Sequence, residues 1–128
     1  MCCRAGRSTQ RRKRSRGSST WGLIEGVVSA CSLKDAYYIL TKQAGEARAR
    51  EVVRDCLKSY SVEPLDQEAC FTSAYSDEPD FEDGCIRAMA ERAGVDFIIT
   101  RDRAAFVRST IKTFSPAEFI RAFPIPEE

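Results

Sequence analysis

The chain contains no histidine. That absence removes Ser-His and Cys-His nucleophile pairs and all imidazole acid–base chemistry. Any reaction must run on carboxylates, hydroxyls, thiols, lysine or arginine. Nor is there a C-x-x-C pair among the cysteines at 2, 3, 31, 56, 70 and 85, which excludes zinc sites of the usual closely spaced kind. Cys31, Cys56, Cys70 and Cys85 stand among apolar neighbours and read as small core residues. No apolar run approaches the roughly 18 residues of a membrane span. The basic N-terminus is followed by no apolar segment, so a secretory signal is not expected, and a reducing, cytoplasmic compartment without disulfides is.

Acid is missing from the first 24 residues, and the near-zero net charge of +1 hides this. Residues 1–21 hold seven of the 20 basic groups (Arg4, Arg7, Arg11, Arg12, Lys13, Arg14 and Arg16), leaving 13 against 19 acids and a body near −6. The stretch is rich in Arg, Ser and Gly, shows no period of two or 3.6, and is expected to be a disordered basic tail. A block of this kind can bind nucleic acid nonspecifically. The plainer reading, favoured here, is an unselected tail or a start-site artefact. The body from residue 22 to 128 is long enough for one domain with its own core, at an ordinary 43% hydrophobic content.

From Leu23 the pattern alternates between strand and helix. L-I-E-G-V-V-S predicts a strand ending near Ser29. Ser32 reads as the N-cap of a helix with Asp35 in its first turn and Gly45 as its stop. A second helix is expected from Glu46 to Lys58, then a strand over S-V-E-P-L that Pro64 confines to an edge or an end. Asp66 and Asp80 each cap a helix, and Gly94 closes the second of these. F-I-I-T is the clearest strand, followed by T-I-K-T-F and a last helix opened by Ser115-Pro116. The order predicts a three-layer α/β/α sandwich with a mainly parallel sheet.

The densest chemistry lies between Pro79 and Asp102. Ligands of parallel α/β sheets bind outside the carboxyl ends of the strands, where Asp102 falls just past F-I-I-T. Asp83 opens the preceding helix. Taken singly, Asp35 and Asp83 are first-turn acids that the helix dipole stabilises by about 0.3–1 kcal/mol, and Asp102 is a turn residue. Taken together on an α/β order, they make an oxygen-rich set suited to a hard divalent cation. Glu82 and Asp80 read as capping or solvated groups. Arg101 and Arg103 suit either a phosphate contact or a solvated loop. Tyr37, Tyr38 and Phe81 read as packing residues rather than base-stacking platforms.

G-L-I-E-G-V-V-S-A, S-L-K-D-A-Y-Y-I-L, D-F-E-D-G-C-I-R-A-M-A, D-F-I-I-T-R-D-x-x-x-F and F-S-P-A-E-F follow one another between Leu23 and Ile120 in an order that resembles the PIN-domain family, close to VapC-like toxin nucleases. The resemblance implies a PIN-type fold, Mg2+- or Mn2+-dependent cleavage of RNA, and an antitoxin protein partner. A homodimer is a further expected assembly, and no membrane association is. By position the family's metal-holding and catalytic acids fall on Asp35, Asp83 and Asp102, with Glu82 and Thr100 as helpers. Relatives often lack an acid at the Asp35 position. The family's first strand, which carries a metal-anchoring aspartate, has no counterpart in C-C-R-A-G-R-S-T-Q-R-R-K-R-S-R-G-S-S-T, so the leading β-α unit reads as missing or replaced. On that ground the sheet is expected to lack a central partner beside Val27 and Val28. The alternatives are a catalytically inactive PIN-like module acting through protein or RNA binding, or an unrelated α/β binding domain.

Overall fold

The computed structural model describes residues 24–124 and the strand Cys2–Ala5. In chain order the elements are β1 (Cys2–Ala5), β2 (Ile24–Ser29), α1 (Ala30–Ala44), α2 (Glu46–Ser59), β3 (Tyr60–Glu63), α3 (Gln67–Ala74) and α4 (Phe81–Ala93). β4 (Phe97–Ile99), a 3-10 turn at Ala104–Phe106, β5 (Lys112–Phe114) and α5 (Pro116–Ala122) follow. The fold is the α/β/α arrangement the sequence predicts.

Strand order across the sheet is β3-β2-β1-β4-β5. β2 and β3 pair in parallel, as do β4 and β5, whereas β1 runs antiparallel to both β2 and β4. Four of the five strands therefore point the same way, and their carboxyl ends share one edge. Cys2 lies abreast of Val27 on one side and of Ile98 on the other.

That central strand corrects two expectations. Cys2–Ala5 is not part of a disordered tail, and the backbone beside Val27 is not left unpaired. The rest of the expected tail, and the ends of the expected 22–128 domain at 22–23 and 125–128, lie outside the described residues. The physical reason is backbone satisfaction. An inner gap between β2 and β4 presents unmet N–H and C=O groups from both sides, and any short extended segment meets them. Four residues without alternation are too few to announce such a strand in advance.

Caps set the helix boundaries. Asp66 accepts from the Ala69 N–H at 3.0 Å, and Asp80 Oδ1 accepts from Glu82 and Asp83 N–H at 2.9 and 3.1 Å. Ser115 and Glu118 form a reciprocal capping box that starts α5. Gly94 ends α4 in the left-handed region at φ 62°, where side chains beyond glycine are disfavoured. α1 departs from expectation. Its cap is Ser29, whose Oγ accepts from the Ser32 N–H at 2.9 Å, so the helix opens one turn earlier and Asp35 stands beyond the first turn. The sequence offers two serines three apart. The one at the strand end wins because the chain must turn there.

The core joins α4 to the sheet. Val27, Ala90, Val95, Ile98 and Phe106 form it, with Ile86, Ala93, Ala105 and Ile111 packed around. Ile98 is the largest fully buried side chain, worth about 1.5–3 kcal/mol of apolar burial. A second cluster of Phe97, Phe114, Phe119 and Phe123 fixes α5 on β4 and β5, with ring centroids 4.9–6.4 Å apart.

Candidate functional site

Ser29 and Ile99 end β2 and β4 at the shared carboxyl edge, and each hands the chain to acid-bearing residues. After Ser29 comes the first stretch of α1 with Cys31 and Asp35. After Ile99 come Thr100 and Asp102. The start of α4, with Glu82 and Asp83, meets both groups. What holds α4 there is close helix packing. Ser73 of α3, only 5% exposed, donates from its Oγ to the Phe81 carbonyl at 2.7 Å. A Cβ on Gly84 would lie 2.2 Å from that Oγ, so the approach requires glycine. Glu78, whose side chain is 5% exposed, ties the loop before α4 to Arg87 on one oxygen and lies 3.6 Å from Arg108 on the other.

Asp83 is half-buried, and no side chain among the described residues donates to its carboxylate or pairs with it. Burial pushes its pKa above the usual 3.8, and the charges of Asp80, Asp102, Glu82 and Glu78 push it further the same way. Asp102 is exposed. Its Oδ1 accepts from the Ala105 N–H at 3.3 Å and so starts the 3-10 turn. Thr100 Oγ1 accepts from the Asp102 N–H at 3.1 Å, which makes Thr100 a brace for the Asp102 turn.

Asp35 belongs to a different cluster. Its Oδ1 pairs with Lys34 Nζ at 2.7 Å, and that contact, partly offset by burial and joined by Glu82, holds its pKa below the carboxylate norm. Its Oδ2 faces Cys31 Sγ at 3.8 Å, and the same sulfur lies 3.6 Å from Glu82 Oε1. Burial and the neighbouring Glu82 push the Cys31 thiol up. Among the described residues, the one group of three or more ligand atoms within 4.8 Å of one another is Cys31, Asp35 and Glu82.

The three acids singled out by position thus divide. The charge of Asp102 acts on Asp83, while Asp35 gathers with Glu82 and with Cys31, which sequence reasoning assigned to the core. No local signal marks Cys31, since its contact with Glu82 spans 51 residues. Of the two arginines beside Asp102, Arg103 is paired with Glu118 at 2.9 Å, and Arg101 is exposed and unpaired among the described residues. Tyr38 and Phe81, read as packing residues, are 59% and 53% exposed.

The donor set fits a hard divalent cation. Asp83 is a partly buried carboxylate under the charge of four acids and met by no cationic side chain among the described residues. Mg2+ and Mn2+ bind through one or two carboxylates and keep their waters. No helix among the described residues is long and apolar enough to cross a membrane. No curated protein matches the chain. A family model described as the PIN domain matches residues 9–104, three quarters of the chain, including Asp35, Glu82, Asp83 and Asp102, and the chain belongs to the PIN-domain family.

Proposed function

We propose that the chain is a divalent-metal-dependent endoribonuclease of the VapC-like kind, using Mg2+ or Mn2+, with Asp83 and Asp102 as its principal metal-holding and catalytic acids. The observation that carries this reading is Asp83, a half-buried carboxylate set among Asp80, Asp102, Glu82 and Glu78 with no compensating partner among the described residues. Family membership supports it at a coarser level, since PIN domains are nuclease-type domains that generally depend on divalent metal.

Each residue has a part in this reading. Asp83 and Asp102 come from different segments, the first turn of α4 and the turn after β4, and the charge of Asp102 acts on Asp83. Thr100 braces Asp102, and the Asp102 oxygen not used on Ala105 stays available. Asp35 and Glu82 extend the acid edge toward α1. Arg101, exposed and unpaired among the described residues, supplies a cation for an RNA phosphate, a contact that binds without selecting sequence. When bound, the cation supplies charge neutralisation at a phosphoryl oxygen and lowers the pKa of water. By resemblance, an antitoxin partner and a cytoplasmic setting belong to the same proposal.

A second reading, an inactive PIN-like module, is favoured by one observation. The central strand Cys2–Ala5 carries no acid and runs opposite to its neighbours, so no carboxylate on it anchors the edge. The discriminating experiment is cleavage of a fluorescent single-stranded RNA with Mn2+ by the chain and by Asp83→Asn and Asp102→Asn. Metal-dependent cleavage lost in both variants supports the nuclease. Absence of cleavage, with Mn2+ shown to be bound, supports the inactive module.

A further inference from the structure

Arg108 joins the two segments that carry Asp83 and Asp102. Its Nη1 donates to the Asp77 carbonyl at 2.7 Å, across 31 residues of chain. The same guanidinium lies 3.6 Å from Glu78 Oε2 and 3.8 Å from Asp77 Oδ2. The other oxygen of Glu78 meets Arg87 of α4, so one enclosed carboxylate faces an arginine on each side. A planar guanidinium with its donors in a rigid fork is suited to holding two segments at once.

Both acids connect to this junction through short, braced turns. Between Asp102 and Arg108, Asp102 Oδ1 accepts from the Ala105 N–H at 3.3 Å, the Arg103 carbonyl from Phe106 at 3.2 Å and the Ala104 carbonyl from Val107 at 3.4 Å. Phe106 is buried and anchors that turn in the core. Between Asp77 and Asp83, the Glu78 N–H donates to Ser76 Oγ at 3.2 Å, and Asp80 Oδ1 accepts from the Glu82 and Asp83 N–H. With both turns stiff, the placement of Asp102 relative to Asp83 is decided where they meet. The side chains of Arg108 and Asp77 are 44% and 86% exposed, and ion pairs so exposed add little to stability. What they control is geometry, to which a cation shared by two carboxylates responds directly.

We infer that Arg108 is a positioning residue that locks the Asp102 turn onto the loop leading to Asp83 and thereby sets the affinity of the acid edge for a divalent cation. Its effect on the cation rests on the reading of Asp83 and Asp102 as metal ligands, whereas the lock itself does not.

The test compares the full chain with Arg108→Gln and Arg92→Gln. Arg92, in the last turn of α4, meets Asp66 and donates to the Pro64 carbonyl at 3.2 Å, so its loss loosens α4 at the end away from the acids. Two readouts are taken where all three proteins are folded, amide exchange without metal and Mn2+ titration. Arg108→Gln should speed exchange at the Ala105 and Asp83 amides and weaken Mn2+ affinity about tenfold, with little change in Tm. Arg92→Gln should leave those two amides and the Mn2+ affinity as in the unaltered chain. Unchanged exchange in Arg108→Gln would overturn the lock. Faster exchange with unchanged Mn2+ affinity, or an equal loss of affinity in Arg92→Gln, would overturn the positioning role. An unaltered chain that binds no Mn2+ would refute the nuclease reading instead, and the exchange arm would then decide the lock alone.

Discussion

Asp83 and Glu78 are acids five residues apart that the fold treats in opposite ways. Glu78 is enclosed but met by Arg87 and Arg108, so removing it takes a partner from two partly exposed guanidiniums, of which Arg87 keeps Glu91. Glu78→Ala should cost about 1.5–3 kcal/mol, read as a lowered urea midpoint. Asp83 has neighbours of its own sign, and its folded pKa lies above 3.8. A raised acid pKa means that the folded state binds the proton more tightly than the unfolded chain. The ionised carboxylate therefore costs stability. That cost is absent below pH 3.8, grows as pH rises through the window up to the folded pKa, and is complete above it. Asp83→Asn should accordingly raise Tm at neutral pH and leave it nearly unchanged well below pH 3.8. Saturating Mn2+ should raise the Tm of the unaltered chain and do little for the variant. A Tm lowered at neutral pH by Asp83→Asn would count against this picture of the site.

The elements that carry these acids are positioned by contacts of a few atoms. Gly84→Ala would drive a Cβ against Ser73 Oγ, whose hydrogen bond to the Phe81 carbonyl holds the start of α4. Overpacking of this kind costs about 1–3 kcal/mol, and here it should also weaken Mn2+ binding by tilting the first turn of α4. Ser29→Ala should cost about 1 kcal/mol through the freed Ser32 N–H. The caps at Asp66, Asp80, Ser115 and Gly94 were legible in the sequence because a cap is a contact within about three residues. The α1 cap was misplaced by one turn because two serines compete and only the strand end decides between them. The Cys31 cluster was not legible at all. It depends on α1 and α4 meeting across half the chain, and a cysteine among apolar neighbours has the local signature of a core residue.

At the scale of the molecule, β1 decides whether one sheet or two fragments exist. β2–β3 and β4–β5 are parallel pairs that, among the described residues, are joined into one hydrogen-bonded sheet through Cys2–Ala5. Each pair brings its own part of the acid edge, Cys31 and Asp35 with the first and Asp102 with the second. The parallel order and the position of the edge could be read from the alternation of elements. The reversed central strand could not, because its identity follows from the unmet backbone of its neighbours rather than from its own residues. Cys3 pairs with both Gly26 and Phe97, so Cys3→Pro puts a residue that cannot donate in a strand bonded on both sides. The cost should be about 3 kcal/mol or more, a large part of a total stability near 5–15 kcal/mol, and unfolding should lose cooperativity. The edge assembled in this way is claimed to be a cation site centred on Asp83 and Asp102. Its most direct measurement is the count of free Mn2+ by electron paramagnetic resonance during titration of the full chain and of the Asp83→Asn, Asp102→Asn double variant. Saturable binding by the chain that disappears in the double variant is the predicted result, and equal binding by both proteins would contradict it.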